Sequence, residues 1–478
     1  MVGDIQQERL RNHFNSFADE REKWLKKSKY FHDEDLLMIN EIIPKNSSVL
    51  EIGCGTGNLI GQLDINYGVG IDISEKSIFN AKKKFSDIKF FCCDPYGLKE
   101  KTSKKFDFII ISDTVGYFKD IQKTLSNLHF FCSNETRLII SYYSPLWEPV
   151  LRIAEKINLK MPTLNCPLFS TSDLTNFLKI SGFETIKVEK KIIFPLDFFY
   201  LGRFINRFLA NLPIVNHLCL RQYIISRSLK KLKKNYDSVS VIVPCKNESG
   251  NIKNCIKRLP VLGRKMEVIF VEGNSSDKTW EKIISVMKSH NTKKRGFSIR
   301  AFKQDKSGKK NAVFIGFEKA KNDILMILDC DLTVPPEELP KFWEKISCGE
   351  GEFINGTRLV YPLRDDAMRF LNYTVNKIFA HLFSWVLGQK ITDTLCGTKV
   401  ISKRNYLLAR KFIKDFDKLD PFGDFFFIFS SFKLNLKMIE IPIRYYERTY
   451  GETQISRFRD GFKLLKMFLI TLFRFKSF

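Results

Sequence analysis

Ser47 to Leu59, SSVLEIGCGTGNL, leaves a chain little choice of fold. Val49 to Ile52 is a short apolar strand carrying Glu51, and Gly53, Gly55 and Gly57 form a G-x-G-x-G turn before a helix opens at Asn58. Glycine permits the tight turn and lets a ligand approach the backbone closely. A second strand, Val69 to Ser74, carries Asp72 about 20 residues on, where a carboxylate can accept both hydroxyls of a ribose. Further strand-length runs are Lys89 to Cys92, leading to Asp94; Phe106 to Asp113, ending in Ser112 and Asp113; and Arg137 to Ser141. Helix-length segments separate them, so the first half is read as a doubly wound α/β domain.

The E-x-G-C-G-T-G loop, with Asp72 and Asp94 at the following strand ends, resembles class I S-adenosylmethionine-dependent methyltransferases over about residues 20–230. The resemblance implies a Rossmann-like fold and S-adenosylmethionine as cofactor. It places Glu51, Gly53, Gly55 and Gly57 around the methionine part, Asp72 on the ribose, Asp94 near the adenine, and Ser112 to Thr114 on the floor. Methyl transfer from a sulfonium needs mainly alignment and desolvation, and no catalytic base stands out. Tyr30, His32, Tyr117, Tyr142 and Tyr143 are candidates to shape an acceptor pocket. Residues 191–235 then turn aromatic and basic, with Asp197 the only acid. Two readings stay open there: an interfacial element with cationic flanks, or a cap over the acceptor pocket followed by a last strand, Gln222 to Ser226.

The second half opens as another nucleotide-binding α/β unit. VSVIVPCKNESGNI starts at Val239 and holds Pro244, Asn247 and Glu248; a second strand from Met266 ends in Glu272, with Asp277 after a turn. Gly308 and Lys309 precede a helix, so a cation can face a diphosphate at its N-terminus. DILMILDCDLTVPP follows, an apolar run ending on Asp329 and Asp331. Alternate strand residues point the same way, and two such carboxylates repel unless a cation sits between them. A hard divalent cation shared with a phosphate is the usual solution.

That order of motifs resembles family 2, GT-A-type inverting glycosyltransferases over about residues 237–460, in particular enzymes that transfer sugars to dolichyl or polyprenyl phosphate. The resemblance implies that Pro244, Asn247, Glu248, Glu272, Asp277 and Lys309 frame a nucleotide-sugar. Asp329 and Asp331 hold Mg²⁺ or Mn²⁺ on the diphosphate. A hydroxyl acceptor needs a base, for which Asp393 comes first and Asp424 second. A lipid phosphate needs positioning cations instead, and Arg358, Arg369 and Arg448 are the candidates. Two departures stand out. Glu272-Gly273-Asn274-Ser275 replaces paired acids, and Gly451-Glu452-Thr453-Gln454 replaces a G-E-S-K, with Arg457 nearby.

The expected organisation is a methyltransferase domain over 1–230, a basic linker over 231–236 and a GT-A domain over 237–478 with a C-terminal amphipathic helix. The formal charge of +25 calls for an anionic partner. No recognisable nucleic-acid-binding module accompanies it, which favours a phosphorylated substrate or an acidic membrane surface. The 11 cysteines are scattered without C-x-x-C spacing, which points to a reducing compartment. No uncharged run approaches the ~20 residues of a spanning helix. The expected protein is therefore cytoplasmic, with peripheral attachment at the cytoplasmic face of the membrane. It is a bifunctional methyl- and glycosyltransferase using S-adenosylmethionine, a nucleotide-sugar donor and a polyprenyl-phosphate or glycan acceptor. The alternative is a glycosyltransferase carrying a non-catalytic S-adenosylmethionine-binding scaffold.

Overall fold

The structure, a computed structural model, describes residues 2–475 apart from 165, 233–234, 307, 362–369, 413–419, 421–422, 449 and 451–456. The chain forms two compact units, Met1–Leu232 and Lys233–Phe475.

The first unit is built on a seven-stranded sheet: β1 (Ser47–Ile52), β2 (Ile65–Asp72), β3 (Lys89–Cys92), β4 (Phe106–Ser112), β5 (Cys132–Tyr143), β6 (Phe183–Lys191) and β7 (Arg221–Ser228). Their order is β3-β2-β1-β4-β5-β7-β6. The first five pair in parallel, with Leu50 opposite Val69 on one side and Ile109 on the other. Val49, Leu50, Val69, Ile109 and Ile110 are fully buried, as expected of strands covered on both faces. β7 enters antiparallel between β5 and β6. The strand order reverses between β1 and β4, which opens a crevice at their C-terminal ends. Gly53, Asp72 and Asp113 follow or close β1, β2 and β4 there. β6 is absent from the sequence reading because FETIKVEKK is polar and alternating rather than apolar.

The second unit has its own seven-stranded sheet: β8 (Ser238–Cys245), β9 (Lys265–Glu272), β10 (Ser298–Lys303), β11 (Ile324–Ile327), β12 (Phe353–Thr357), β13 (Lys399–Ser402) and β14 (Met438–Pro442). The order is β10-β9-β8-β11-β13-β12-β14, with β13 antiparallel to both neighbours. The reversal lies between β8 and β11. One feature differs from the sequence reading. β11 ends at Ile327, and after Leu328, which donates to the Ile242 carbonyl at 3.0 Å, the chain turns. Leu332 sits at φ 58°. Asp329 and Asp331 therefore lie in a turn, and strand alternation does not govern where their carboxylates point. The stretch from Met368 to Gly388 contains the helix Phe370–Leu387, whose Phe383 packs against Phe425 and Phe429.

Candidate functional site

In the first unit, Gly53 (φ 76°) and Gly55 (φ 52°) carry the turn after β1. A Cβ at Gly53 would overlap the Thr114 side chain, whereas one at Gly55 would meet nothing within 4 Å. Gly55 is thus the open side of the loop and Gly53 the packed side. Gly57 packs against the Phe90 ring. Asp72 braces the loop: Oδ2 accepts from Gly55 N at 2.9 Å and Oδ1 from Ser74 N at 2.8 Å. Burial raises its pKa against those two bonds. Glu51 accepts from Ile60 N at 3.2 Å, and burial pushes its carboxyl up to about 8, so it is neutral at pH 7. Asp94 accepts from Tyr96 N and Gly97 N, fixing its own turn.

Glu51, Gly53, Gly55, Asp72, Asp94 and Ser112 line one cavity of about 1100 Å³, whereas Gly57 is not on its lining. Thr56 and Trp24, also on its lining, each keep a buried polar atom without a hydrogen-bond partner. A cavity of this size, an open glycine cradle and an acceptor carboxylate fit S-adenosylmethionine. His32 lines the same space with its pKa lowered to about 4 by burial and Arg21, so the imidazole is neutral.

The floor holds a network that no local pattern announced. Arg221, 1% exposed, donates to Asp35 through Nε (2.9 Å) and Nη2 (3.0 Å) and to Ser112 Oγ (2.9 Å) and Ser141 Oγ (3.0 Å), and it pairs with Asp113. Tyr223 donates to Asp35 at 2.5 Å. Ser112 is therefore fixed from below by a cation 109 residues away in sequence.

In the second unit the two loops after β8 and β9 are laced together. Asn247 N donates to Ser275 Oγ (2.9 Å), Ser276 N to Asn247 Oδ1 (2.8 Å) and Glu248 N to Thr279 Oγ1 (2.9 Å). Glu272 accepts from Ser275 N at 2.5 Å, and Asp277 from Ser249 N and Thr279 N. Pro244 lies on β8 opposite Val271. Glu272 and Asp277 thus shape this rim through backbone groups.

At the centre, Asp329 pairs with Lys309 at 2.6 Å, and Asp331 with Arg448 at 2.6 Å while also accepting from Thr333. Burial opposes ionisation of Asp329, yet Lys309, Lys399 and Arg358 hold its pKa below the usual carboxylate value. Arg448 reaches Glu248 at 3.7 Å, and burial, with Asp331 adding to it, pushes Glu248 up to about 6. Gly397 crosses directly over this pair: a Cβ there would overlap both the Asp329 carboxylate and the Lys309 ammonium. Any side chain at 397 must displace that pair, a role that no motif in the sequence announced.

The acceptor-side candidates are also paired. Asp393, fully buried, takes a two-pronged ion pair from Arg358 (Nε 2.7 Å, Nη2 2.9 Å) and bonds from Asn376, Leu395 N and Arg358 N. Despite burial, Arg358 brings its pKa down to about 2. In this structure Asp393 is ionised and Arg358 is committed to it. Asp424 pairs with buried Lys399 at 2.9 Å. Arg369 and the Gly451–Gln454 stretch lie outside the described residues. Among the described residues, no group of three His, Cys, Asp or Glu side chains could hold a metal by itself. Asp329 and Asp331 still fit a diphosphate-bound cation, because Mg²⁺ commonly takes one or two carboxylates and fills its shell from phosphate and water.

Residues 22–188 match the family model described as a methyltransferase domain, and residues 240–407 the one described as glycosyl transferase family 2. A dolichol-phosphate mannosyltransferase from Pyrococcus furiosus is 28% identical over 225 residues, which is 46% of this chain and 59% of that protein. The chain thus spans less than two thirds of that relative's length. An S-adenosylmethionine-dependent methyltransferase structure from Thermotoga maritima aligns with 46% of this chain and 99% of its own at 18% identity, with a TM-score of 0.35. A glucosyl-3-phosphoglycerate synthase from Mycobacterium tuberculosis, solved with Mn²⁺, UDP and glucosyl-3-phosphoglycerate, aligns over 50% and 80% at 17% identity, with a TM-score of 0.33. The chain joins a methyltransferase domain to a family 2 glycosyltransferase domain.

Proposed function

We propose that the chain is a bifunctional transferase, with S-adenosylmethionine-dependent methyl transfer in the first unit and metal-dependent, inverting sugar transfer from a nucleotide-sugar in the second. The observation that carries this reading is that each unit gathers its candidate donor-binding residues at the reversal point of its own sheet. In the first unit Asp72 keeps lone pairs for ribose hydroxyls beyond its two backbone bonds, and Gly55 leaves the loop backbone open to a ligand. The Arg221 network holds Ser112 and Asp113 rigidly beneath, so the chain contributes alignment and a dry floor. Bound S-adenosylmethionine supplies the activated methyl group.

In the second unit Asp329 and Asp331 would hold Mg²⁺ or Mn²⁺ against the donor diphosphate, and the ion would supply positive charge to the departing nucleoside diphosphate. Lys309 and Arg448, which neutralise the two carboxylates in this structure, are placed to face phosphate oxygens once those carboxylates are otherwise engaged. For the acceptor, both candidate bases are tied up in ion pairs. That supports an acceptor that is already ionised, a polyprenyl phosphate, over a glycan hydroxyl. Peripheral contact with an acidic membrane surface belongs to the same reading; no helix among the described residues is long and apolar enough to cross a membrane.

The test is calorimetry with S-adenosylmethionine and a panel of nucleotide-sugars, followed by transfer assays to a short-chain polyprenyl phosphate with and without a chelator. Binding of both ligands and chelator-sensitive transfer are expected. If neither ligand binds, the proposal fails. Methionine-cofactor binding without any methylated product in cell extracts would instead favour a scaffolding first unit.

A further inference from the structure

Residues 192–220 turn the usual arrangement of a surface segment inside out. Their polar amides point inward and are satisfied. Asn206, 6% exposed, accepts from Ile193 N (2.8 Å) and Phe194 N (3.0 Å) and donates to Phe194 O (2.8 Å) and Tyr30 Oη (3.0 Å). Asn216 donates to the Lys190 and Ala210 carbonyls. The apolar side chains point outward: Phe199 is 86% exposed and Ile214 85%, with Phe198, Tyr200, Phe204 and Leu218 each exposed by half or more. Phe199 and Tyr200 both hold left-handed backbone (φ 46° and 61°), a costly conformation for aromatic residues that the surrounding structure must enforce.

This surface continues into a neighbour. Trp147 Nε1 donates to Leu218 O at 2.8 Å, joining the segment to the helix Glu148–Lys156, which exposes Val150 and Ile153. Val150 and Leu159 on one side, and Pro195 and Leu196 on the other, line the cavity that also holds Asp72 and Gly55. The apolar surface and the cavity mouth are therefore one feature. Within residues 192–220 Arg203 and Arg207 are exposed and the one acid, Asp197, is paired to Arg203 at 2.7 Å; on the adjoining helix Glu148 and Glu155 are paired to Arg152 and Lys160.

We propose that this surface docks the methyltransferase unit on an anionic lipid bilayer, and that the methyl acceptor is an amphiphile drawn from that bilayer through the cavity mouth. Contiguous exposed apolar area of this kind marks an interaction site. Interleaved arginines select an anionic lipid surface: their stems lie along apolar material while their heads reach headgroup phosphates. A lone pair on a headgroup heteroatom of the acceptor forms the new bond to the methyl carbon. The methyl–sulfur bond breaks with its electrons going to sulfur, and any proton lost by the acceptor passes to water. The acceptor assignment rests on the methyltransferase reading above; the docking does not.

The experiment is flotation of the full chain with vesicles of phosphatidylcholine, with and without phosphatidylglycerol. Binding to the anionic vesicles is expected, with at least a tenfold loss in a Phe198→Ser, Phe199→Ser, Ile214→Ser variant whose S-adenosylmethionine affinity is unchanged. A wild-type chain that ignores anionic vesicles overturns the docking. So does a triple variant that still floats, or one whose only change is loss of a dimer in sedimentation, which would mean the surface is covered by a second copy. In a second arm, methyl-labelled S-adenosylmethionine and lipid extract should give label in the organic phase. Label confined to the aqueous phase overturns the amphiphile assignment. Failure to bind S-adenosylmethionine at all would sink the methyltransferase reading instead and leave the flotation result standing.

Discussion

The two sites solve opposite electrostatic problems. In the first unit a neutral Glu51 and two carboxylates, Asp72 and Asp94, each braced by two N–H donors, line an open volume of about 1100 Å³. In the second unit Asp329, Asp331, Asp393 and Asp424 are each held by a cation. The difference follows from the donors proposed for them. A sulfonium amino acid carries one net positive charge and no phosphate, so shape and a few acceptors suffice. A nucleoside diphosphate with its metal brings large charges of both signs, and a site that must receive them without collapsing beforehand keeps its own charges balanced. In that reading one site is open before binding, and the other exchanges ion pairs to bind.

The largest effect that would test this contrast is at Asp329. Asp329→Asn should lower sugar transfer by about 10³-fold and leave S-adenosylmethionine binding by calorimetry unchanged; joint loss of both would break the picture of two independent sites. Gly397→Ala comes next. The added methyl must push the Asp329–Lys309 pair apart, and misplacement of about 1 Å costs on the order of 10²-fold, read as transfer rate in a protein of unaltered melting temperature. In the first unit Asp72→Ala should weaken S-adenosylmethionine binding by about 10-fold to 100-fold, with sugar transfer intact.

Ionic strength sharpens the same comparison. Nucleotide-sugar affinity should fall as salt screens the site's exchanged charges, while S-adenosylmethionine affinity should change much less; equal slopes would contradict the contrast. The smallest effect concerns Glu51. Its folded pKa is raised to about 8 from an ordinary 4.5, so the folded chain keeps a proton that the unfolded chain releases. Stability is therefore undiminished below about 4.5, falls as pH rises through that window, and the loss is complete above about 8. Glu51→Gln keeps an acceptor for Ile60 N and removes the titration. Its melting temperature should match the wild type near pH 4 and exceed it at pH 9.

Much of both folds was legible in the sequence. Apolar runs ending in Gly53, Asp72, Ser112, Cys245 and Glu272 mark strand ends because burial on both faces demands continuous apolar strands. What was misread had a physical cause too. Asp329 and Asp331 read as strand neighbours only until β11 proved to stop at Ile327. Asp393 came as a candidate base for a hydroxyl acceptor from the resemblance alone, and nothing local announced Arg358 closing on it from 35 residues away.

The sequence by itself determined where the glycine turns fall, which residue types stand at them, and that two nucleotide-type α/β units follow one another. Those are local properties: glycine's conformational freedom and the spacing of apolar side chains. Only the tertiary structure decided which charge meets which. Arg448 reaches Asp331 across 117 residues and Arg221 reaches Asp35 across 186. The energy of such pairs depends on distance and burial in space, and sequence separation carries neither. The same holds for Gly53 to Gly57. Their spacing marks a loop of tight turns, but it took Thr114 pressed against Gly53, and open space beside Gly55, to show which glycine is packed and which is open.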